Sequence, residues 1–156
     1  MLLALDAPDE AYAHVSAELP ALSAAGPELH RKAGALQLPM AEALRRLGRP
    51  DAAAALRSGL SAARASRLLG VGLAGTLVTA AVLQDAGDSA AAAELAAGWQ
   101  QVRLTLGLPV PAAYRQAARD LDLDLTPGDP VRARAAGADL EALLSRAVRA
   151  VRAVGD

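Results

Sequence analysis

The side chains of this sequence that could carry out chemistry are few and widely spaced. The only two histidines, His14 and His30, lie 16 positions apart, and the chain contains no cysteine. A zinc site needs three or four ligands at set spacing, so we interpret both histidines as isolated surface or half-buried residues. Without a thiol there is neither a disulfide framework nor thiolate chemistry. The sequence therefore predicts no metal site here.

Three aspartates in alternate positions, Asp120, Asp122 and Asp124, resemble the beginning of a calcium-binding loop. Leu125 stands where that loop needs a glycine, and Val131 stands where it needs a bidentate glutamate. The alternation instead favours leucines that point inward between solvated aspartates.

Two further groups of residues are weak signals. The glycine-rich stretch 70–75 is followed by no Lys-Ser/Thr pair, so it predicts close helix contacts rather than a phosphate-binding loop. Arg146, Arg149 and Arg152 form a short basic ridge, which we interpret as solvated surface. With 16 basic and 17 acidic residues the chain has no general attraction for nucleic acid. We expect no cofactor and no enzymatic activity, although a helical active site of unrecognised type remains an alternative.

The composition indicates a protein made of helices. The chain has 41 alanines among its 156 residues, and it has neither phenylalanine nor isoleucine. Alanine is the best helix former, whereas strands favour the β-branched and aromatic residues that are scarce here. We therefore predict an all-α fold, with Trp99 as a core residue on the face of Leu95, Val102 and Leu106.

Glycine and proline divide the predicted helices. Gly26-Pro27, Gly48-Arg49-Pro50, Gly87-Asp88-Ser89, Gly107-Leu108-Pro109 and 127–130 mark the ends. Asp88 or Ser89 should cap a helix, and Gly107 should end it in a left-handed conformation. Pro39 is expected to break the segment 27–47 into two pieces, and Gly137 to kink or split the last segment.

The segment 68–84 is uncharged and 17 residues long, the lower limit for a membrane-spanning helix. It holds three glycines and lacks aromatic anchors. We predict a helix that is buried on all sides inside a helical stack, with a membrane-associated protein as the alternative.

A turn pattern occurs three times. Residues 5–11 align with 47–53 and with 86–92, at spacings of 42 and 39 residues. The match continues after the second and third copies, where Leu56 aligns with Leu95, Leu60 with Trp99 and Arg64 with Arg103. A period near 40 with one turn in each unit predicts stacked helix pairs, because a single pair cannot bury its own apolar face.

At this period the segment 43–56, ALRRLGRPDAAAAL, resembles the helix–turn–helix junction of tetratricopeptide repeats. It is most similar to the repeats of about 40 residues in large bacterial regulators of the LuxR and AfsR type. The segment 93–121 likewise resembles the stretch that often closes such regulators. The resemblance implies small contact residues at Ala41, Ala80, Ala53 and Ala92, and large ones at Leu44 and Leu83. The sequence departs from the family pattern at two pairs of positions. Leu60 and Trp99 stand where a small residue is usual, and Gln37 and Thr76 stand where tryptophan is usual.

The resemblance implies antiparallel helix pairs, stacked as a right-handed solenoid with a C-terminal capping helix. The expected division is a half repeat at about 1–26, repeats at 27–66 and 67–107, and a cap at 108–156. We expect a non-catalytic module that acts in the cytoplasm and binds a protein or peptide partner. It would be the repeat tail of a bacterial regulator, or a relative of one.

The first turn pattern leaves only Met1 to Leu5 before it, so a partner helix for residues 8–25 is expected outside this chain. The apolar stripe of that helix is then a predicted interface, which a homodimer would cover unless Pro20 bends the helix back onto residues 27–47 and hides the stripe within the monomer. Its residues are Tyr12, Val15, Leu19 and Leu22.

Overall fold

A computed structural model describes residue 3, residues 6–126 and residues 136–153 of the chain. The described regular structure is entirely helical, as the composition predicts. The helices are α1 (Pro8–Ala24), α2 (Pro27–Arg46), α3 (Ala52–Ala65), α4 (Leu69–Asp85), α5 (Ser89–Thr105), α6 (Arg115–Asp120) and α7 (Ala136–Ala153). A 3-10 turn, Ala112–Tyr114, precedes α6.

The five helices α2 to α6 end in the same way. In each, the second residue after the helix has a positive φ, and the N–H of the residue that follows it donates to a carbonyl of the last turn. Leu108, for example, donates to the carbonyl of Arg103 at 3.0 Å, after Gly107 at φ 64°. The residues with positive φ are Gly48, Arg67, Gly87, Gly107 and Asp122. The prediction for Gly107 is therefore confirmed, and three of these five positions carry the residue that adopts this conformation most easily.

At its other end α5 begins as predicted. The carboxylate of Asp88 accepts a hydrogen bond from the N–H of Ala91 at 3.2 Å. Asp88 is therefore the cap, and Ser89 is the first helical residue.

The prediction for Pro39 is wrong, because α2 continues through this residue without a break. Proline removes one helical hydrogen bond, but it does not prevent its neighbours from adopting helical angles. Leu38 and Ala41, which flank Pro39, are fully buried. Their burial in the core offsets the lost bond and keeps the helix continuous. Gly137 lies in the first turn of α7, and the proposed turn at 127–130 lies outside the described residues.

Helix α4 lies at the centre of the structure and packs against α2, α3, α5, α6 and α7. Residues 72–83 are all buried, as predicted for a helix that is covered on every side. The hydroxyls of Thr76 and Thr79 donate to the carbonyls of Gly72 and Gly75 one turn earlier, so neither is left without a partner. Within the described residues, no helix is long and apolar enough to cross a membrane.

Glycine allows two close contacts around α4. A Cβ atom at Gly72 would lie 2.7 Å from a methyl group of Leu144 in α7. At Gly75 it would lie 2.7 Å from a methyl group of Leu60 in α3. Both distances are shorter than van der Waals contact, so the predicted role of the 70–75 glycines in close helix packing is confirmed at these two positions. Gly70 has open space around it.

The core is built from alanine, leucine and valine around one large ring. Trp99 is 1% exposed, which confirms its predicted place in the core. The apolar stripe of α7 includes Leu140, Leu143, Leu144, Ala147 and Val151, which are buried. Helix α7 lies across α3, α4 and α5 together.

Candidate functional site

Within the described residues, a group of charges surrounds the guanidinium of Arg45, near the C-terminal end of α2. Its Nε donates to Glu42 at 2.8 Å, and one Nη donates to Asp85 at 3.0 Å. The other Nη donates to Asp120 at 2.7 Å and to Glu42 at 3.1 Å. We call Glu42, Arg45, Asp85 and Asp120 the Arg45 cluster.

Three carboxylates thus share one guanidinium, but they differ strongly in their exposure to solvent. Glu42 is fully buried, whereas the side chains of Asp120 and Asp85 are 33% and 50% exposed. Burial raises the pKa of Glu42, although the hydrogen bonds from Arg45 act against this. Burial alone would lower the pKa of Arg45, but its bonds to the carboxylates outweigh burial and raise it. The site therefore keeps a permanent cation beside a carboxylate that protonates more readily than usual.

The Arg45 cluster marks a place where three helices end together. Arg45 lies in the last turn of α2, Asp85 is the last residue of α4 and Asp120 is the last residue of α6. A carboxylate at a helix C-terminus is unfavourable next to the free carbonyls, so the guanidinium compensates for both aspartates. The C-terminal ends of α2, α4 and α6 therefore meet at Arg45.

An open cleft of about 560 Å³ lies over the cluster. Its lining adds the charged Asp6 and Arg46 and the amide of Gln116. Arg46 forms an ion pair with Asp6 and donates to the carbonyl of Leu3 at 3.1 Å. The amide of Gln116 donates to Asp120 at 2.7 Å. The hydroxyl of Tyr114 also belongs to these surroundings, because burial and then the charge of Glu42 raise its pKa. Every charged group of the cluster thus has a partner among the described residues.

A second arginine, Arg103 in α5, is fully buried. Its guanidinium donates to the carbonyls of Leu108 at 3.0 Å, Thr126 at 2.8 Å and Asp124 at 2.9 Å. It also lies 5.4 Å from the centre of the Trp99 ring. Arg103 therefore joins the two ends of the segment 108–126, whereas Arg64, which the sequence aligns with it, is exposed.

The three aspartates of the partial calcium motif do different things. Asp120 binds Arg45, Asp122 takes the left-handed position after α6, and Asp124 accepts hydrogen bonds from the hydroxyl and N–H of Thr126 at 2.6 and 2.9 Å. All three are exposed, and the leucines between them are half-buried against the core. The predicted alternation is confirmed. Leu121, Leu123 and Leu125 are those leucines.

The predicted interface lies on α1, which packs mainly on α2. Val15 is buried, and Tyr12, Leu19 and Leu22 are half-buried. The guanidinium of Arg49 lies 4.8 Å from the centre of the Tyr12 ring, a cation–π contact within the chain. Val15 of the stripe is therefore covered, and Tyr12, Leu19 and Leu22 keep part of their surface in solvent.

The remaining sequence candidates lie apart from one another. His14 is exposed on α1, and His30 belongs to α2. Arg149 and Arg152 are exposed, while Arg146 pairs with Glu94 of α5 at 3.1 Å. Among the residues for which the structure gives positions, no three histidine, aspartate or glutamate side chains are arranged to hold a metal ion.

Comparisons of the chain with protein-family models, with curated proteins and with solved structures found no match.

Proposed function

We propose that this chain is a non-catalytic helical-repeat module that binds a protein or peptide partner, with α2–α3 and α4–α5 as successive repeats. The observation that carries the proposal is the backbone of the repeated turn. Asp6, Gly48 and Gly87, which the sequence aligns at one position, have φ angles of 61°, 63° and 86°. Residues 42 and 39 positions apart thus share a left-handed conformation ahead of α1, α3 and α5.

Burial at equivalent positions supports the same proposal. Residues 39 positions apart in the two helix pairs are buried alike, and Leu60 and Trp99 are each 1% exposed. Burial that repeats along the chain at one period is expected when each helix pair covers the apolar face of the next. The other buried pairs are Leu38 and Leu77, Ala41 and Ala80, Leu44 and Leu83, Ala53 and Ala92, and Leu56 and Leu95.

Helix contacts add a third support. In a tetratricopeptide-like stack the first helices of successive pairs touch, and α2 and α4 do so, with their C-terminal ends joined through Arg45. Together with the sequence resemblance, this contact favours a solenoid of stacked helix pairs. Such a solenoid would belong to a bacterial regulator of the LuxR and AfsR type, or to a relative of one, and act in the cytoplasm.

The surface that we propose for the partner is the edge of α1. This helix packs mainly on α2, and Tyr12, Leu19 and Leu22 remain half-exposed beside that contact. A helix from a second copy of the chain would bury their remaining apolar surface, which gives a two-fold dimer.

The test is the mass of the protein by light scattering from low to high micromolar concentration. The proposal predicts a concentration-dependent dimer that Leu19→Gln weakens. The matched control is Ala17→Gln on the exposed outer face of α1, which should leave the dimer intact. A monomer at every concentration would reject the second copy as the partner, and a dimer weakened only by Ala17→Gln would place the interface on the outer face.

A further inference from the structure

The segment 108–126 connects α5 to the rest of the chain and carries both the 3-10 turn and α6. It lies on α4, and its Ala113 also packs against the small cluster of Leu3, Ala11 and Ala43. We call this segment the strap. Two arginines outside it hold it in place, namely Arg103 at its two ends and Arg45 at the end of α6.

These two arginines would respond differently if the strap moved. Arg103 is fully buried, and three of its hydrogen bonds go to strap carbonyls. Separation from the strap would break these three hydrogen bonds together and leave Arg103 only the bond from its Nε to Gln100 at 3.3 Å, which makes separation costly. The ends of the strap are therefore fixed.

The contact at Arg45 is cheap to break by comparison. If Asp120 leaves, Arg45 keeps its hydrogen bonds to Glu42 and Asp85. Asp120 is already one-third exposed, and it keeps its hydrogen bond from Gln116, which lies on the strap and moves with it. Neither charge is left buried and unpaired, so the usual penalty for breaking a buried ion pair does not arise.

The charges in the closed state also oppose one another. Glu42, Asp85 and Asp120 place three carboxylates around one guanidinium, so departure of Asp120 relieves repulsion as well as breaking an attraction. The apolar contacts beneath the strap oppose opening. Ala117 and Ala118 are fully buried but bury little surface each, and the half-buried Tyr114, Leu121 and Leu123 also pack against the core. The open state is therefore a minor population in which these contacts are lost together.

From this difference we propose that the strap opens as a unit about ends fixed by Arg103, with the Arg45–Asp120 pair as its latch. Opening uncovers Glu42 and the face of α4 on which α6 lies, while the two helix pairs stay folded. The strap is thus a regulated cover, whose closure depends on ionic strength.

Because the chain contains no cysteine, a single introduced thiol can report the opening. Ala118→Cys places that thiol on the fully buried side of α6, and Ala147→Cys places it at an equally buried position on α7. The rate at which a soluble disulfide reagent labels each thiol under native conditions measures opening at that place. We expect Ala118→Cys to react faster than Ala147→Cys, and faster still when salt is raised to about 0.5 M.

The latch is tested by adding Asp120→Asn to each reporter. It should accelerate labelling at residue 118 by about five-fold, the effect of one partly exposed ion pair, and leave residue 147 unchanged. The matched control is Asp122→Asn, which removes the same charge from the same segment at an exposed position and should have no effect. Equal rates at residues 118 and 147, or equal effects of the two asparagine variants, would overturn the proposal.

Hydrogen exchange of the unaltered chain gives an independent reading in case a reporter variant folds poorly. Amides of residues 112–121 should exchange faster than those of residues 99–106, and only the former should respond to salt. Equal, salt-insensitive exchange in both regions would also overturn the proposal.

Discussion

The guanidinium of Arg45 and the carboxylate of Asp120 lie 2.7 Å apart across 75 residues of sequence. Asp85, at the end of a third helix, shares the same guanidinium at 3.0 Å. One side chain therefore joins the C-terminal ends of α2, α4 and α6 in the closed state, while the buried Glu42 holds that side chain in place from one turn away.

Arg45→Met should lower the free energy of unfolding by about 3 kcal/mol, because it leaves Glu42 buried without its cation. The double variant Arg45→Met with Glu42→Leu should recover most of that loss, since an apolar pair has no charge to desolvate. Urea unfolding of the two single variants and the double variant measures the coupling. Additive losses would show that the two residues act independently.

Glu42 should make stability depend on pH in a particular direction. Its pKa in the folded protein lies above the ordinary value of 4.5, so the folded state binds a proton more tightly than the unfolded state. Glu42 therefore stabilises the folded protein fully when the pH is below the ordinary pKa of 4.5, and this stabilisation is lost as pH rises through the pKa of the folded state. The unfolding free energy of the wild type minus that of Glu42→Gln should therefore fall as pH rises from about 4. A difference that is constant, or that rises with pH, would contradict this expectation.

Arg67→Gly should stabilise the protein by about 1 kcal/mol. Arg67 adopts a φ of 51° after α3, a conformation that costs a residue with a Cβ atom more than it costs glycine. The control is Ser66→Gly, one residue earlier, where φ is −91° and glycine brings no such relief. Thermal unfolding compares the two variants, and an equal or lower melting temperature for Arg67→Gly would reject the expectation.

Trp99→Ala should cost about 3–5 kcal/mol, because it leaves a large cavity in the core. Trp99→Phe should cost only about 1 kcal/mol, since the buried indole N–H has no hydrogen-bond partner to lose. Chemical unfolding gives both values, and the wild-type tryptophan emission should lie at short wavelength. Emission typical of solvated indole would contradict its burial.

Pro39→Ala should stabilise α2 by about 1–2 kcal/mol, because it restores one helical hydrogen bond in a continuous helix. Pro8→Ala is the comparison. Pro8 is the first residue of α1, where the N–H has no helical partner, so the substitution should bring no gain. Equal effects in thermal unfolding would show that position within the helix does not matter here.

The turns and the core could be predicted from the sequence because their causes are local. Gly107 and Asp88 act on their own helix ends, and Trp99 belongs to an apolar face that its neighbours reveal. Pro39 was mispredicted because its effect depends on burial in the folded protein. The left-handed Arg67 gives no sequence signal, since arginine is not typical of that conformation.

The Arg45 cluster could not be predicted, although Glu42 and Arg45 have the spacing of a helical ion pair. Such pairs are usually solvated, and nothing local distinguishes this one. Asp85 and Asp120 join it only because α2, α4 and α6 end together, which depends on how the helices stack. In the sequence, Asp120 resembles the first residue of a calcium-binding loop, whereas in the structure it pairs with Arg45.

The two arginines also differ in how far along the chain they reach, and this sets an order of folding. The contacts of Arg103 close loops of 5 to 23 residues, whereas Arg45 joins groups 40 and 75 positions away. Shorter loops lose less chain entropy on closing. The ends of the strap can thus come together once α5 has formed, while docking of α6 must await the stacking of α2 on α4. Refolding should therefore finish with the step that joins Asp120 to Arg45.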